Sequence, residues 1–361
     1  VEYCNGTQNT ALANLRRSNG CDAPHAVKYW SIGNEVDGPW QIGFKTPDEY
    51  ARAYTEFAKV MRWTDPSIKL IAAAVSHWGA GDFVERCQRL LEHAPDHIDY
   101  MAIHWYVGNK ENNFENYMAL SELFEERLAA TEGIIRAMRL ARGIKKPIHI
   151  AVDEWNVWYR TGVPQASVVK SDAPQAVLEE HYNLEDALMT GIQLNAFIRH
   201  ARAVRMANLA QIVNVIPPIT TRKDGLMLES IFYPFEIYSR ECGDTALDVF
   251  WSGETFEGGG HAGLRVLDVS ATLDSKTNRL AVFVVNRSQD KAQETKISLT
   301  TGQFAGKVKC FTVNGADIKV INTFDKPDAV RTRKSSLMAK GKSFTHVFEP
   351  HSVTALVFEL R

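Results

Sequence analysis

Five apolar segments, each followed by an amphipathic stretch, constrain the first two-thirds of this chain more than any other feature. They lie at residues 26–32 (AVKYWSI), 68–75 (IKLIAAAV), 98–103, 147–152 and 206–215. Helical patterns cover 48–62, 82–93, 117–142 and 174–202, and Thr46-Pro47 marks a helix start because proline suits the first turn. A loop carrying Gly162, Pro164 and Pro174 precedes the last of these. Buried-type strands alternating with helices predict βαβ units and a parallel sheet. From about residue 243 the texture changes to short alternating segments, 279–285, 295–299, 307–312 and 353–360, separated by turn clusters. Strands at that spacing without helices predict a β-sandwich. Residues 231–240 read as the last helix before it, which divides the chain into 1–241 and 242–361.

The 361 residues are 45% apolar with a formal net charge of −2, so nothing basic argues for nucleic acid. No apolar run approaches the roughly 20 residues that span a bilayer. The five cysteines form no CxxC pair and read as reduced thiols, which favours a cytoplasmic setting. The chain opens at Val1 with neither an initiator Met nor a signal peptide, and reads as processed or lacking its true beginning.

Polar and aromatic side chains cluster where the apolar segments end. Residues 26–32 run into Gly33-Asn34-Glu35, 68–75 into Ser76-His77-Trp78, and 98–103 into His104-Trp105-Tyr106. Residues 147–152 run into Asp153-Glu154-Trp155-Asn156, and 206–210 into Gln211 and Asn214. Catalytic groups of a (β/α)₈ barrel sit at the carboxyl ends of several strands. The pattern therefore predicts two acids, Glu35 and one of Asp153 or Glu154. Two carboxylates suit glycoside hydrolysis, in which one protonates the leaving oxygen and the other attacks or activates water. Trp40, Trp78, Trp105, Trp155 and Trp158 flank these ends and offer ring faces to sugar C–H groups. His104 reads equally as a core histidine, His77 as structural, Trp30 as core, and residues 122–127 (ELFEER) as a solvated helix face. A metal hydrolase built on His77, His104, Asp153 and Glu154 competes, yet neither HxH nor HExxH spacing occurs, so no metal and no cofactor is expected.

The segments VEYCNG at 1–6, YWSIGNEVDGPWQIG at 29–43, IHWY at 103–106, DEWNVW at 153–158, NLAQIVNVIP at 208–217 and IFYPF at 231–235 strongly resemble α-L-arabinofuranosidases of glycoside hydrolase family 51. That resemblance implies a (β/α)₈ TIM barrel followed by an all-β sandwich. It also implies metal-free hydrolysis of terminal α-L-arabinofuranosyl residues of arabinan and arabinoxylan with retention, and a homo-oligomer, often a hexamer. By resemblance Glu35 is the acid/base and Glu154 the nucleophile. Asn34, Tyr106, Gln211, Trp158 and His104 contact the sugar. Glu35 is expected to start protonated with a raised pKa, Glu154 to be ionised, and the two carboxyl groups to lie about 5–5.5 Å apart. Alternatives are an endo-β-1,4-glucanase or β-xylosidase on the same fold, or a non-catalytic carbohydrate-binding remnant.

If residues 26–32 form the fourth barrel strand, the first three are absent, about 135 residues at a repeat of about 45. The expectation is that this exact chain, alone, is inactive or badly folded, with two open sheet edges. The sandwich reads as a structural or assembly domain, with no exposed aromatic row.

Overall fold

The computed structural model describes residues 1–159 and 179–361. The predicted loop at Gly162, Pro164 and Pro174, and the first residues of the predicted helix at 174–202, lie outside the described residues. The chain forms two compact units, Val1–Trp105 with Arg127–Glu154 and Ala203–Asn208, and Tyr106–Glu126 with Trp155–Arg202 and Leu209–Arg361.

The first unit is organised by a sheet of five strands, β1 (Tyr29–Ile32), β2 (Lys69–Val75), β3 (Tyr100–Val107), β4 (His149–Val157) and β5 (Val204–Leu209), paired in chain order. β1 pairs with β2 and β2 with β3 in parallel. Helices α1 (Glu2–Asn5), α2 (Ala11–Ser18), α3 (Pro47–Thr64) and α4 (Phe83–His93) accompany it. Glu49 reaches back to the Thr46 backbone N–H at 2.9 Å and its hydroxyl at 2.8 Å, so α3 starts where the Thr-Pro pair predicts. α4 lies between β2 and β3, and α5 (Phe114–Ala141) between β3 and β4.

β1 is shorter than the predicted 26–32. Ala26 takes φ +53°, outside the extended range, and Asn5 clasps Val27 through two hydrogen bonds of 2.8 Å. β5 likewise stops at Leu209, because Asn156 Nδ2 captures the carbonyls of Ala210 (2.5 Å) and Ile216 (2.7 Å) for a loop.

The second unit contains α6 (Leu184–Arg199), the hairpin β6 (Ile219–Arg222) with β7 (Gly225–Leu228), and α7 (Phe232–Glu241). Next come β8 (Thr245–Leu247), the β9 (Thr255–Gly258) and β10 (His261–Arg265) ribbon, and β11 (Leu267–Asp274). β12 (Arg279–Asn286), β13 (Gln293–Ser298), β14 (Phe304–Asn314), β15 (Arg331–Gly341), β16 (Ser343–Phe348) and β17 (Ser352–Leu360) complete it. Six strands form an antiparallel sheet ordered β15-β14-β17-β12-β11-β8. Ile297, Phe344 and Phe348 of the separate β13–β16 ribbon join the core of Val282, Phe304 and Phe358. α6 approaches the sheet closely at Gly191, where a Cβ would stand 2.9 Å from Val285 Cγ2. The sequence pattern misses β15 (RTRKSSLMAKG) because it is a mostly exposed, polar edge strand with no apolar alternation.

Residues 122–127 are not the solvated face expected of them. Phe124 is fully buried, and Glu125 accepts from Arg199 at 2.5 Å and pairs with His200 at 2.6 Å. Arg127 stacks 4.4 Å from the Trp78 ring centre and 4.7 Å from that of Trp105. A charge count along the helix did not reveal that partners would cover these groups.

Candidate active site

In the first unit the turn after β1 supplies Glu35, β3 supplies His104 and β4 supplies Asp153 and Glu154; both strands run on past these residues, to Val107 and Val157, rather than stopping at 103 and 152 as the apolar segments predict. Gly33 has φ +83° and Glu35 itself φ +46°, so the turn after β1 bends through the left-handed region. Such a conformation in a non-glycine residue costs energy and concentrates at functional positions. Glu35 Oε2 accepts from Trp40 Nε1 at 2.8 Å and Gln41 Nε2 at 3.2 Å. Glu35 Oε1 lies 3.1 Å from His104 Nδ1, and the same nitrogen lies 3.3 Å from Glu154 Oε2. On the far side of the ring, His104 Nε2 lies 3.2 Å from Asp153 Oδ1. One atom each from Glu35, His104 and Glu154 falls within a 4.8 Å span. Three carboxylates thus surround one imidazole.

The imidazole is nearly buried, at 5% side-chain exposure, against 19% for Glu35 and 30% for Glu154. Burial alone would push the His104 pKa down. Hydrogen bonds to Asp153 and Glu35 and the charge of Glu154 outweigh it and raise the pKa to about 10. The His104 hydrogen bond in turn lowers Glu35 to about 2, against a smaller opposing effect of burial. This corrects the expectation of a raised Glu35 pKa. That expectation counted enclosure and a neighbouring carboxylate but not the cation between them. The surroundings thus favour the ionised form of Glu35 and the protonated form of His104.

Supporting contacts fix the cluster. Asp37 accepts from Ser76 N–H (2.6 Å), Ser76 Oγ (2.5 Å) and His77 N–H (2.7 Å), tying the β1 turn to the end of β2. The Trp40 ring meets His77 edge-on at 5.1 Å, and Trp78 Nε1 donates to the His104 carbonyl at 2.8 Å. Sequence reasoning missed the contacts of Trp40 and Gln41 with Glu35. Their signal was present in GNEVDGPWQ, five and six residues after the acid. Glu35, His104 and Glu154 are also the one group, among the described residues, whose donor atoms are close enough to converge on a cation.

The remaining predicted residues are placed as follows. Asn34 is exposed next to Glu35. Tyr106, Trp158 and Gln211 belong to the second unit. There Tyr106 and Trp158 meet edge to face at 5.1 Å. Trp158 N–H donates to the Val107 carbonyl at 2.6 Å, and Gly108 lets the two chains approach, since a Cβ there would stand 3.3 Å from the Trp158 carbonyl oxygen. Tyr159 donates to buried Asp186 at 2.6 Å. Gln211 is exposed on the loop that Asn156 holds.

Comparison with known proteins identifies the family. The family described as "Alpha-L-arabinofuranosidase C-terminal domain" matches residues 153–352, and "Alpha-L-arabinofuranosidase 1 domain" matches residues 1–122. The chain is 36% identical to the intracellular exo-α-(1→5)-L-arabinofuranosidase 1 of Bacillus subtilis, over 98% of this chain and 70% of that protein. It is 36% identical to the corresponding intracellular enzyme of Halalkalibacterium halodurans, over 81% of this chain and 59% of that protein. The solved thermostable GH51 α-L-arabinofuranosidase of Thermotoga petrophila superposes with a TM-score of 0.85 at 32% identity, over 99% of this chain and 72% of that one. The chain thus spans roughly 59–72% of these relatives' lengths. Sequence and fold together place it in the glycoside hydrolase family 51 α-L-arabinofuranosidases.

Proposed function

We propose that this protein is a retaining, exo-acting α-L-arabinofuranosidase that removes terminal α-L-arabinofuranosyl residues from arabinan, arabinoxylan and their oligosaccharides. The carrying observation is the pairing of Glu35 and Glu154 across one His104 nitrogen, with atoms inside a 4.8 Å span. Retaining glycosidases hold their carboxyl groups about 5–5.5 Å apart, whereas inverting enzymes leave about 6.5–9.5 Å for a water. The chain-ordered parallel sheet and the two-layered β region support a (β/α)₈ barrel with a β-sandwich. The intracellular relatives support a cytoplasmic site of action.

In this reading Glu154 attacks the anomeric carbon as a carboxylate while Glu35 protonates the departing glycosidic oxygen. The raised His104 pKa favours a resting proton on the imidazole, whose Nδ1 lies 3.1 Å from Glu35 Oε1. The His104 proton therefore reaches the leaving oxygen through Glu35 in step with bond cleavage, as the departing alkoxide becomes the stronger base. Ester formation removes the Glu154 charge. Glu35, now ionised, takes a proton from water, which attacks the anomeric carbon and releases arabinose with its original configuration. The family resemblance assigns sugar contacts to Asn34, Tyr106, Gln211 and Trp158.

The test is hydrolysis of an aryl α-L-arabinofuranoside, with NMR of the first-formed anomer. Retained configuration is expected, and the inverted anomer would sink the double displacement. Faster cleavage of aryl β-xyloside or soluble cellulose would favour the xylosidase or glucanase alternative.

A further inference from the structure

The second unit, taken alone, contains a cavity of about 720 Å³. That lies within the usual range of roughly 300–1,000 Å³ for ligand pockets. Glu122 of α5, Trp251, Arg265 of β10 and Arg287 just after β12 contribute to its lining. Its walls are fixed without a ligand. Arg199 pairs with Glu125 at 2.5 Å and Asp268 at 3.1 Å, and all three line the cavity. Trp251 Nε1 donates to the Leu267 carbonyl at 2.9 Å, which sets the indole. The β9–β10 turn is held on α5 by Gly259 N–H donating to Asn116 Oδ1 at 2.8 Å. At neighbouring Gly258 a Cβ would stand 2.4 Å from the Glu115 carbonyl oxygen, so only glycine permits that approach.

Against these locked walls, Glu122, Arg265 and Arg287 form no ion pair among the described residues. Arg265 is exposed and holds its guanidinium 4.8 Å from the Trp251 ring centre. Arg287, only 5% exposed, donates to Ser121 Oγ and the Arg265 carbonyl but meets no carboxylate. Three arginines and three carboxylates line the cavity, so it carries no net charge with which to gather a free anion or cation. It instead sets guanidinium donors and carboxylate acceptors beside an indole. Hydroxyl groups satisfy both, donating to carboxylates and accepting from guanidinium, while a sugar's C–H face packs on the ring.

We propose that this cavity is a second binding site, taking a neutral oligosaccharide and built from none of the residues of the Glu35–Glu154 cluster. The choice of ligand class rests on the polysaccharide-directed function proposed above. The site retains polymeric substrate between cleavages, so its effect appears on chains and not on small glycosides.

Calorimetric titration of the Glu154→Gln protein with a linear arabino-oligosaccharide tests this. Two bound molecules per chain are expected. Adding Arg265→Ala and Glu122→Ala, both at solvent-reached positions, is expected to weaken one event at least tenfold and spare the other. Trp251→Phe should remove the fluorescence change that accompanies that event. With Glu154 restored, the Arg265→Ala and Glu122→Ala pair should raise KM for arabinan severalfold and leave kcat/KM for an aryl arabinofuranoside unchanged. A single binding event that the cavity substitutions do not alter overturns the proposal. Tighter binding of a uronate-bearing oligosaccharide than of the neutral one overturns the ligand assignment. A single event that the cavity substitutions abolish retains this site and counts against the catalytic reading alone.

Discussion

β2 buries Leu70 through Val75 without interruption, whereas β14 alternates buried Phe304, Val308 and Cys310 with exposed Ala305, Lys307 and Lys309. A strand covered on both faces has few positions for charge, and β2 carries none between Leu70 and Val75. A strand with one wet face spreads polar residues along its length. In the parallel sheet the turn after β1 and positions within β3 and β4 supply Glu35, His104, Asp153 and Glu154 to one cluster. The antiparallel sheet gains a core and, among the described residues, no comparable convergence of carboxylates on one imidazole. Chemistry follows from where each kind of sheet can keep a charge.

This contrast can be broken at defined points. Glu154→Ala should show the largest effect, a loss of arabinofuranoside turnover of about 10⁴-fold or more in steady-state assays, since it removes the attacking group. Glu35→Ala should cost about 10²–10⁴-fold on substrates with poor leaving groups. Its glycosylation rate on aryl substrates with very acidic leaving groups should be spared, because those depart without a proton. Equal losses on both substrate classes would remove Glu35 from the acid role. In the antiparallel sheet, Phe358→Ala should destabilise by about 3–5 kcal/mol in denaturant titration, because its fully buried ring packs 4.5 Å from Phe304.

The charge cluster should also be visible in stability. Glu35 is lowered from 4.5 to about 2, so its contribution is complete above pH 4.5 and fades as pH falls towards 2. His104 is raised from 6.5 to about 10, so its contribution is complete below pH 6.5 and fades as pH rises towards 10. Melting temperature should therefore be greatest between about pH 4.5 and 6.5 as far as this pair is concerned. His104→Gln should flatten both flanks, and unchanged flanks would disprove the shared proton. The smallest effect is expected for Lys309→Ala on the wet face of β14, within about 0.5 kcal/mol of the parent.

Much of the frame was legible before any coordinates. Segments at 68–75 and 98–103 announced β2 and β3 because their apolar content is continuous and local. Thr46-Pro47 announced the start of α3. β15 was illegible because an edge strand needs no apolar face, and the true end of β5 because Asn156 ends it from a distance of 54 residues. The ELFEER stretch misled for the same reason, since the partners of Glu125 and Arg127 come from distant parts of the chain.

The sequence by itself determined which polar and aromatic residues follow each apolar run, and through the GNEVDGPWQIG and DEWNVW motifs the family to which they belong. Strand periodicity and turn chemistry act over a few residues and can be read from a string. Only the tertiary structure decided where the proton resides. Glu35 and His104 are 69 residues apart in the chain yet 3.1 Å apart in space. Electrostatic interaction depends on that separation and on burial, neither of which a linear pattern contains. The acid expected to hold a proton at rest is instead held towards its anion, because the histidine beside it is the group its surroundings favour in the protonated form.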